Sequence, residues 1–122
     1  GIESLVGITS SSLGKVLTIG VGGILTEVIS DVSVRLLPVD AKIVNEMIDE
    51  TRLSLLFSGV RGAKPANREA FVETVLRITD AVIDWPNGSE LDINPLTVLP
   101  EGAWVLDSAY SPPAIPSERS KH

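Results

Sequence analysis

The segment from 90 to 96, with the sequence ELDINPL, alternates oxygen-bearing side chains with apolar ones. On a β-strand successive side chains point to opposite faces, so we expect Asp92 and Asn94 on one face while Ile93 enters the core. Carboxylate and amide oxygens are suitable ligands for a hard cation such as Mg²⁺. The same alternation is also typical of a strand that exposes a polar face to solvent. Pattern alone leaves both interpretations open.

A further carboxylate returns to this segment on the next predicted strand. A turn at residues 100–102 would bring Asp107 within one residue of Asn94 on the neighbouring strand. Pro95 favours a β-bulge, which would adjust the register between the two strands. Whether Asp107 shares the face of Asn94 depends on that register, and we include it as a candidate ligand of the cation site.

Two other features could bind an anion. Gly20, Gly22 and Gly23 would let backbone N–H groups approach a phosphate, because glycine permits tight backbone conformations. The segment matches neither the phosphate loop of nucleotide-binding proteins nor the dinucleotide fingerprint, so a plain connection between strands is the alternative. Arg35 and Arg61 are the candidate anion-binding side chains. For Arg35 the alternative is an outward side chain with a packed stem, and for Arg61 a surface or interdomain contact.

The composition excludes several other kinds of site. The chain has 122 residues, no cysteine and one histidine, His122, so disulfides, thiolate sites and histidine-based triads cannot form within it. A net charge of −6 without a basic run argues against nucleic acid as a partner. The most apolar stretch, residues 16–29, meets Glu27 before it reaches the roughly 18–20 residues of a membrane span. There is no secretory signal pattern, and we expect a cytoplasmic protein.

The elements that must position these residues are strands, then helices, then a hairpin. The order predicts an α+β fold, a two-layer sandwich with a largely antiparallel sheet and helices on one face. Residues 1–110 would form the domain and residues 111–122 a flexible tail. The predicted elements are strands at 2–9, 15–19, 31–37, 90–99 and 103–110, and helices at about 41–51 and 68–84.

Four segments in series resemble a known family, the NDP-forming acyl-CoA synthetases. This group includes the ADP-forming acetyl-CoA synthetases and is related to succinyl-CoA synthetase. The similarity is to the carboxy-terminal half of the ATP-grasp domain, covers about residues 1–110, and implies that the other half would precede Gly1. The segments are GVGGILTEV at 20–28, DVSVRLLP at 31–38, GVRG at 59–62, and LDINPL at 91–96 followed by Asp107.

The resemblance implies a role for each candidate residue. Asn94 and Asp107 match the ligands of Mg²⁺ beside ATP or ADP. Asp92 matches the acidic residue that positions a phosphohistidine on an incoming loop, where many relatives have glutamate. The cofactor-binding positions that the resemblance implies are Gly20, Gly22, Gly23, Arg35 and Arg61.

The resemblance also implies an activity that this chain would share with other domains. The whole enzyme would convert acyl-CoA, ADP and phosphate to free acid, CoA and ATP through a phosphohistidine. The CoA-binding and phosphohistidine-bearing domains would be its partners, in the same chain or a separate one. The fragment alone is expected to be inactive, and it could form a homo-oligomer. The alternatives are a regulatory ATP-grasp-like part of a protein lysine acetyltransferase and a non-catalytic interaction module.

Overall fold

The computed structural model describes residues 1–22, 31–59 and 65–113. In that part of the chain, six strands form one sheet and three helices pack against it. The strands are β1 (Ile2–Ser11), β2 (Gly14–Val21), β3 (Val32–Leu36), β4 (Glu90–Leu99), β5 (Gly102–Val105) and β6 (Ser108–Ser111), and the helices are α1 (Ala41–Asp49), α2 (Leu53–Phe57) and α3 (Arg68–Ala81).

The sheet is antiparallel throughout its described pairings. The strand order is β3-β2-β1-β4-β5, and β6 also pairs with β4. This architecture confirms the predicted α+β class. One detail of the prediction is wrong, because the returning strand at 103–110 is two strands, interrupted at Leu106 and Asp107.

Side-chain caps begin the two longer helices. The Asp40 carboxylate accepts a hydrogen bond from the N–H of Ile43 at the start of α1, and the Asn67 side chain does the same for α3. Both helices end earlier than predicted. Ile83, within the predicted helix at 68–84, lies beyond the end of α3 and is half exposed.

One apolar core joins the helices to one face of the sheet, which we call the packed face. Its strand residues are fully or nearly fully buried. We call the opposite side, to which the alternate residues point, the open face. The packed face carries Val6, Ile8, Leu17, Ile19, Ile93, Leu96 and Val98, and the open face carries Gly7, Thr18, Val34, Asp92 and Asn94.

Strand β3 reverses the expected relation between polarity and burial. Ser33 is buried on the packed face, and its hydroxyl donates a 2.6 Å hydrogen bond to Glu50 just beyond α1. The apolar residues of β3, Val32, Val34 and Leu36, point to the open face and are 38–62% exposed. Alternation in a sequence tells which residues share a face, but not which face the helices cover.

A β-bulge in β4 lies opposite Leu5. Ser4 pairs with Leu96 while Val6 pairs with Ile93, so Asn94 and Pro95 together face one residue of β1. The bulge lets both Ile93 and Leu96 point into the core although three positions separate them. The buried Ser4 hydroxyl donates a 2.7 Å hydrogen bond to the carbonyl of Leu96, which holds the bulge in place.

No helix in the described ranges is long and apolar enough to cross a membrane.

Candidate functional site

Asn94 on β4 and Asp107, which lies between β5 and β6, are direct neighbours. The N–H of Asn94 donates a hydrogen bond to the carbonyl of Asp107 at 3.2 Å, and the N–H of Leu106 donates to the carbonyl of Pro95 at the same distance. The pairing of β4 with β6 continues directly from this point. The structure therefore brings together the two residues that the sequence predicted to be close.

Four residues with oxygen-bearing side chains line a small cavity beside β4. Its volume is about 50 Å³, and its lining residues are Asp92, Asn94, Asp107, Ser108 and Ala109. Asp92 and Asp107 are exposed, and Asn94 is half-buried. The described residues contain no group of three or more His, Cys, Asp or Glu side chains arranged for a metal ion. The donors here are instead two carboxylates and one amide, an oxygen-only set that suits Mg²⁺, which keeps several waters and shares phosphate oxygens.

Ser108 and Ala109 were not predicted to belong to the site. Ala109 pairs with Asp92, so its small side chain points to the same face as that carboxylate. Ser108 pairs with the inward Ile93 and reaches the cavity wall at the strand edge. The register of the returning strand was the signal that could have identified both residues.

Gly22 lies against the candidate cation site. Its N–H donates a 2.8 Å hydrogen bond to the carbonyl of Glu3. A Cβ atom at this position would lie 2.5 Å from the carbonyl oxygen of Ser4 and 2.9 Å from Oδ1 of Asn94. Only glycine fits there, so the chain can pass close beside the amide of Asn94.

Of the other predicted cofactor-binding residues in this region, Gly20 lies within the described residues. Gly20 is buried, and a Cβ atom on it would lie 2.5 Å from the carbonyl oxygen of Asp31 and 2.8 Å from Cγ1 of Val32. Packing against the approach to β3 is thus reason enough for glycine at position 20. Gly23 and Arg61 lie outside the described residues.

Arg35 is not brought to the cavity. It neighbours the buried Ser33 on the packed side of β3 and forms an ion pair with Glu50. The hydrogen bond from Arg35 lowers the pKa of the Glu50 carboxyl, helped by a second hydrogen bond from Ser33. The same pairing raises the pKa of the Arg35 guanidinium. The prediction that Arg35 belongs to the nucleotide site gains no support, because alternation turns its side chain away from Asp92 and Asn94.

Comparison with known proteins identifies the family. A family model described as an ATP-grasp domain matches residues 1–110. The chain belongs to the ATP-grasp family. The family resemblance of the four sequence segments is thereby confirmed.

Curated relatives of this ATP-grasp chain are ADP-forming CoA ligases. The chain is 34% identical over 108 residues to ADP-forming acetate–CoA ligase I of Archaeoglobus fulgidus, a match that covers 88% of this chain and 16% of the relative. It is 33% identical over 109 residues to the beta subunit of ADP-forming acetate–CoA ligase I of Pyrococcus furiosus, covering 88% of this chain and 47% of that subunit. The chain thus spans about half or less of the length of these relatives.

A solved structure has the same fold. It is the dinucleotide-forming acetyl-coenzyme A synthetase 1 of Ca. Korarchaeum cryptofilum, in complex with coenzyme A and Mg-AMPPCP, with its phosphohistidine segment pointing towards the nucleotide binding site. The TM-score is 0.81 at 28% identity, and the match covers 90% of this chain and 52% of that chain. The apo form of the same protein matches with a TM-score of 0.78.

Proposed function

We propose that this chain is the Mg²⁺- and nucleotide-binding half of an NDP-forming acyl-CoA synthetase. The complete enzyme would convert acyl-CoA, ADP and phosphate to free acid, CoA and ATP through a phosphohistidine. The observation that carries the proposal is the convergence of Asp92, Asn94 and Asp107 on one cavity at the β4 edge. The ADP-forming CoA ligases among the relatives support the same reaction class.

Each residue of the site would have a separate role in binding or positioning. Oδ1 of Asn94 and the carboxylate of Asp107 would hold Mg²⁺, which when bound would neutralise charge on the polyphosphate during phosphoryl transfer. The Asp92 carboxylate would accept a hydrogen bond from an imidazole N–H of the incoming histidine and so orient its other nitrogen. Gly22 would keep the backbone close beside Asn94, leaving no side chain to block the phosphates.

The reactive histidine would come from another domain. The single histidine of this chain, His122, lies outside the described residues and in the predicted tail. We propose as partners a phosphohistidine-bearing domain and a CoA-binding domain, in the same polypeptide or a separate subunit. The cysteine-free composition is consistent with the reducing cytoplasm, which we propose as the location.

The proposal is tested by Asp107→Asn in the complete synthetase. Removing one Mg²⁺-binding charge should lower ATP formation from acyl-CoA, ADP and phosphate by about 100-fold or more, the order found when one electrostatic group of an active site is removed. Asp80→Asn is the matched control, because Asp80 is an exposed aspartate on α3, away from the cavity. Its rate should stay within about twofold of the wild type.

Two outcomes would contradict the proposal. Near-normal ATP formation by Asp107→Asn with Mg²⁺ would remove Asp107 from the metal site. Absence of Mg·ADP binding and of turnover in the wild-type complete protein would favour the alternative of a non-catalytic interaction module. Turnover by the isolated 122-residue chain would contradict our expectation that the fragment is inactive.

A further inference from the structure

Gly7 lies in the middle of β1 on the open face, directly beside the candidate site. It pairs with Asp92 of β4 on one side and with Thr18 of β2 on the other. Among the described residues, a Cβ atom on Gly7 would approach only the carbonyl of Leu91 at 3.8 Å and Cβ of Thr18 at 3.9 Å. Both separations are ordinary van der Waals contacts, so the described part of the chain leaves room for a side chain at this position.

Gly7 therefore differs from the other two glycines of the region. Gly20 and Gly22 are each within 2.5 Å of a backbone oxygen once a Cβ atom is added, which explains their identity by packing alone. Among the described residues Gly7 has no such neighbour, and its φ does not lie in the left-handed region. A glycine inside a strand weakens it, because the backbone loses more freedom on folding and no side chain packs. A glycine inside a strand often marks the close approach of a ligand or of another backbone, and no described backbone crowds Gly7.

The neighbours of Gly7 indicate what approaches. A side chain at position 7 would stand next to the Asp92 carboxylate, because directly opposed residues of antiparallel strands have Cβ atoms about 4.5–5.5 Å apart. The pairings place Thr18, Gly7 and Asp92 in one row across β2, β1 and β4 on the open face. Gly7 at the centre of this row has no side chain, and Asp92 at its end also lines the oxygen-lined cavity.

We propose that Gly7 is a clearance position of the nucleotide site. The phosphate chain of the Mg²⁺-bound nucleotide lies over the Cα of Gly7, between Thr18 and Asp92, and any larger residue blocks its path to Asn94 and Asp107. The inference rests on the proposed function and adds to it a residue that determines the shape of the site.

The experiment compares stability with binding in Gly7→Ala and Gly7→Val. In the complete synthetase, the dissociation constant of Mg·ADP is measured by calorimetry and the melting temperature by scanning calorimetry. We expect Gly7→Val to weaken Mg·ADP binding at least tenfold and Gly7→Ala by a smaller factor. The melting temperature should stay the same or rise, because alanine and valine are both less costly than glycine in a strand.

Thr9→Val is the matched control. Thr9 lies on the same face of β1, two residues further along, where it pairs with Glu90 rather than Asp92. This change places the same valine side chain on the open face next to Glu90 instead of Asp92, so Mg·ADP affinity should stay within about twofold of the wild type.

Each remaining outcome overturns the inference or its basis. Unchanged Mg·ADP affinity in Gly7→Val, with binding lost in Asp107→Asn, would overturn the clearance role and leave the proposed function standing. Unchanged affinity in both variants would overturn both. A fall in melting temperature in Gly7→Ala and Gly7→Val would show that folding requires the glycine, and would overturn the clearance role.

Discussion

The packed face and the open face of the sheet share the same strands but not the same kinds of residue. Leu17 and Ile19 of β2 are fully buried under the helices, whereas Thr18 between them points to the open side with Gly7 and Asp92. The packed face is continuous, branched and apolar. The open face is small and polar at its centre and carboxylate-rich along β4.

Because of this difference, the packed face stabilises the fold, whereas the open face is available for ligand binding. Burial of branched apolar side chains supplies most of the stability, at about 25 cal/mol per Å² of apolar surface. Exposed carboxylates and bare backbone contribute little to it, because they remain in water. Residues on the open face can therefore be chosen for a ligand. We therefore expect substitutions on the packed face to lower the free energy of unfolding, and substitutions on the open face mainly to change ligand binding.

The largest effect on stability is expected for Leu17→Ala. Removing a fully buried leucine side chain leaves a cavity in the packed face and should lower the free energy of unfolding by about 2–5 kcal/mol. The neighbouring Thr18→Ala, on the open face, should lower it by less than about 1 kcal/mol. Urea unfolding of the two variants measures both values. Equal losses would mean that the two faces do not differ as described.

The next largest effect on stability is expected for Gly20→Ala. Gly20 is an exception among open-face residues, because other parts of the chain cover it. Gly20 belongs to the open side but is covered by the chain entering β3, so the added Cβ atom must displace the carbonyl of Asp31. The cost should be about 1–3 kcal/mol, the usual range for overpacking. Gly7→Ala is the control and should cost nothing. If both glycines tolerate alanine equally, the close contact at Gly20 is wrong.

A smaller effect is expected for Ser4→Ala at the bulge. The Ser4 hydroxyl is buried and donates to the carbonyl of Leu96, so its removal should cost about 1 kcal/mol of the free energy of unfolding. Because the bulge also orients Asn94, the affinity for Mg·ADP should fall in the complete enzyme as well. Ser12→Ala, in the exposed turn after β1, serves as the control for both measurements.

The smallest effect is expected from the exposed ion pair that ties β3 to α1. The pKa of Glu50 is lowered in the folded chain, so its contribution to stability is present above the ordinary glutamate value of 4.5 and is lost as pH falls through the folded value. Glu50→Gln should therefore be less stable than the wild type near neutral pH, and the difference should shrink below pH 4.5. Unfolding curves between about pH 3 and 7 measure it.

Glu101→Gln, in the turn before β5, is the control for that series and should show no such convergence with the wild type. A difference between Glu50→Gln and the wild type that stays constant from neutral to acidic pH would contradict the lowered pKa of Glu50.

Much of the fold could be predicted from local signals. Asp40 and Asn67 are residue types that favour helix caps, and they cap α1 and α3. The turns of the two hairpins contain Gly14 and Gly102, which adopt positive φ. The adjacency of Asn94 and Asp107 was also predictable, because a short turn fixes the register of two antiparallel strands. These features depend on residues close together in the sequence.

Which face of β3 the helices cover, and therefore where the Arg35 side chain lies, could not be predicted from local signals. The alternation of apolar and polar residues in β3 is equally compatible with either face being covered. Only the end of α1 decided the matter, because Glu50 hydrogen-bonds to Ser33 and pairs with Arg35 on the helix side. Likewise, Gly7 and Gly20 look alike in the sequence, and only their neighbours distinguish a roomy position from a crowded one.

The sequence by itself determined most of the elements, the family, and the adjacency of Asn94 and Asp107 on neighbouring strands. Periodicity, capping residues and turn length act over a few residues and are present in the linear chain. Tertiary structure alone decided which side of each strand the helices cover and which glycines have room for a side chain. Both depend on contacts between residues distant in the chain, and these exist only once the core has formed.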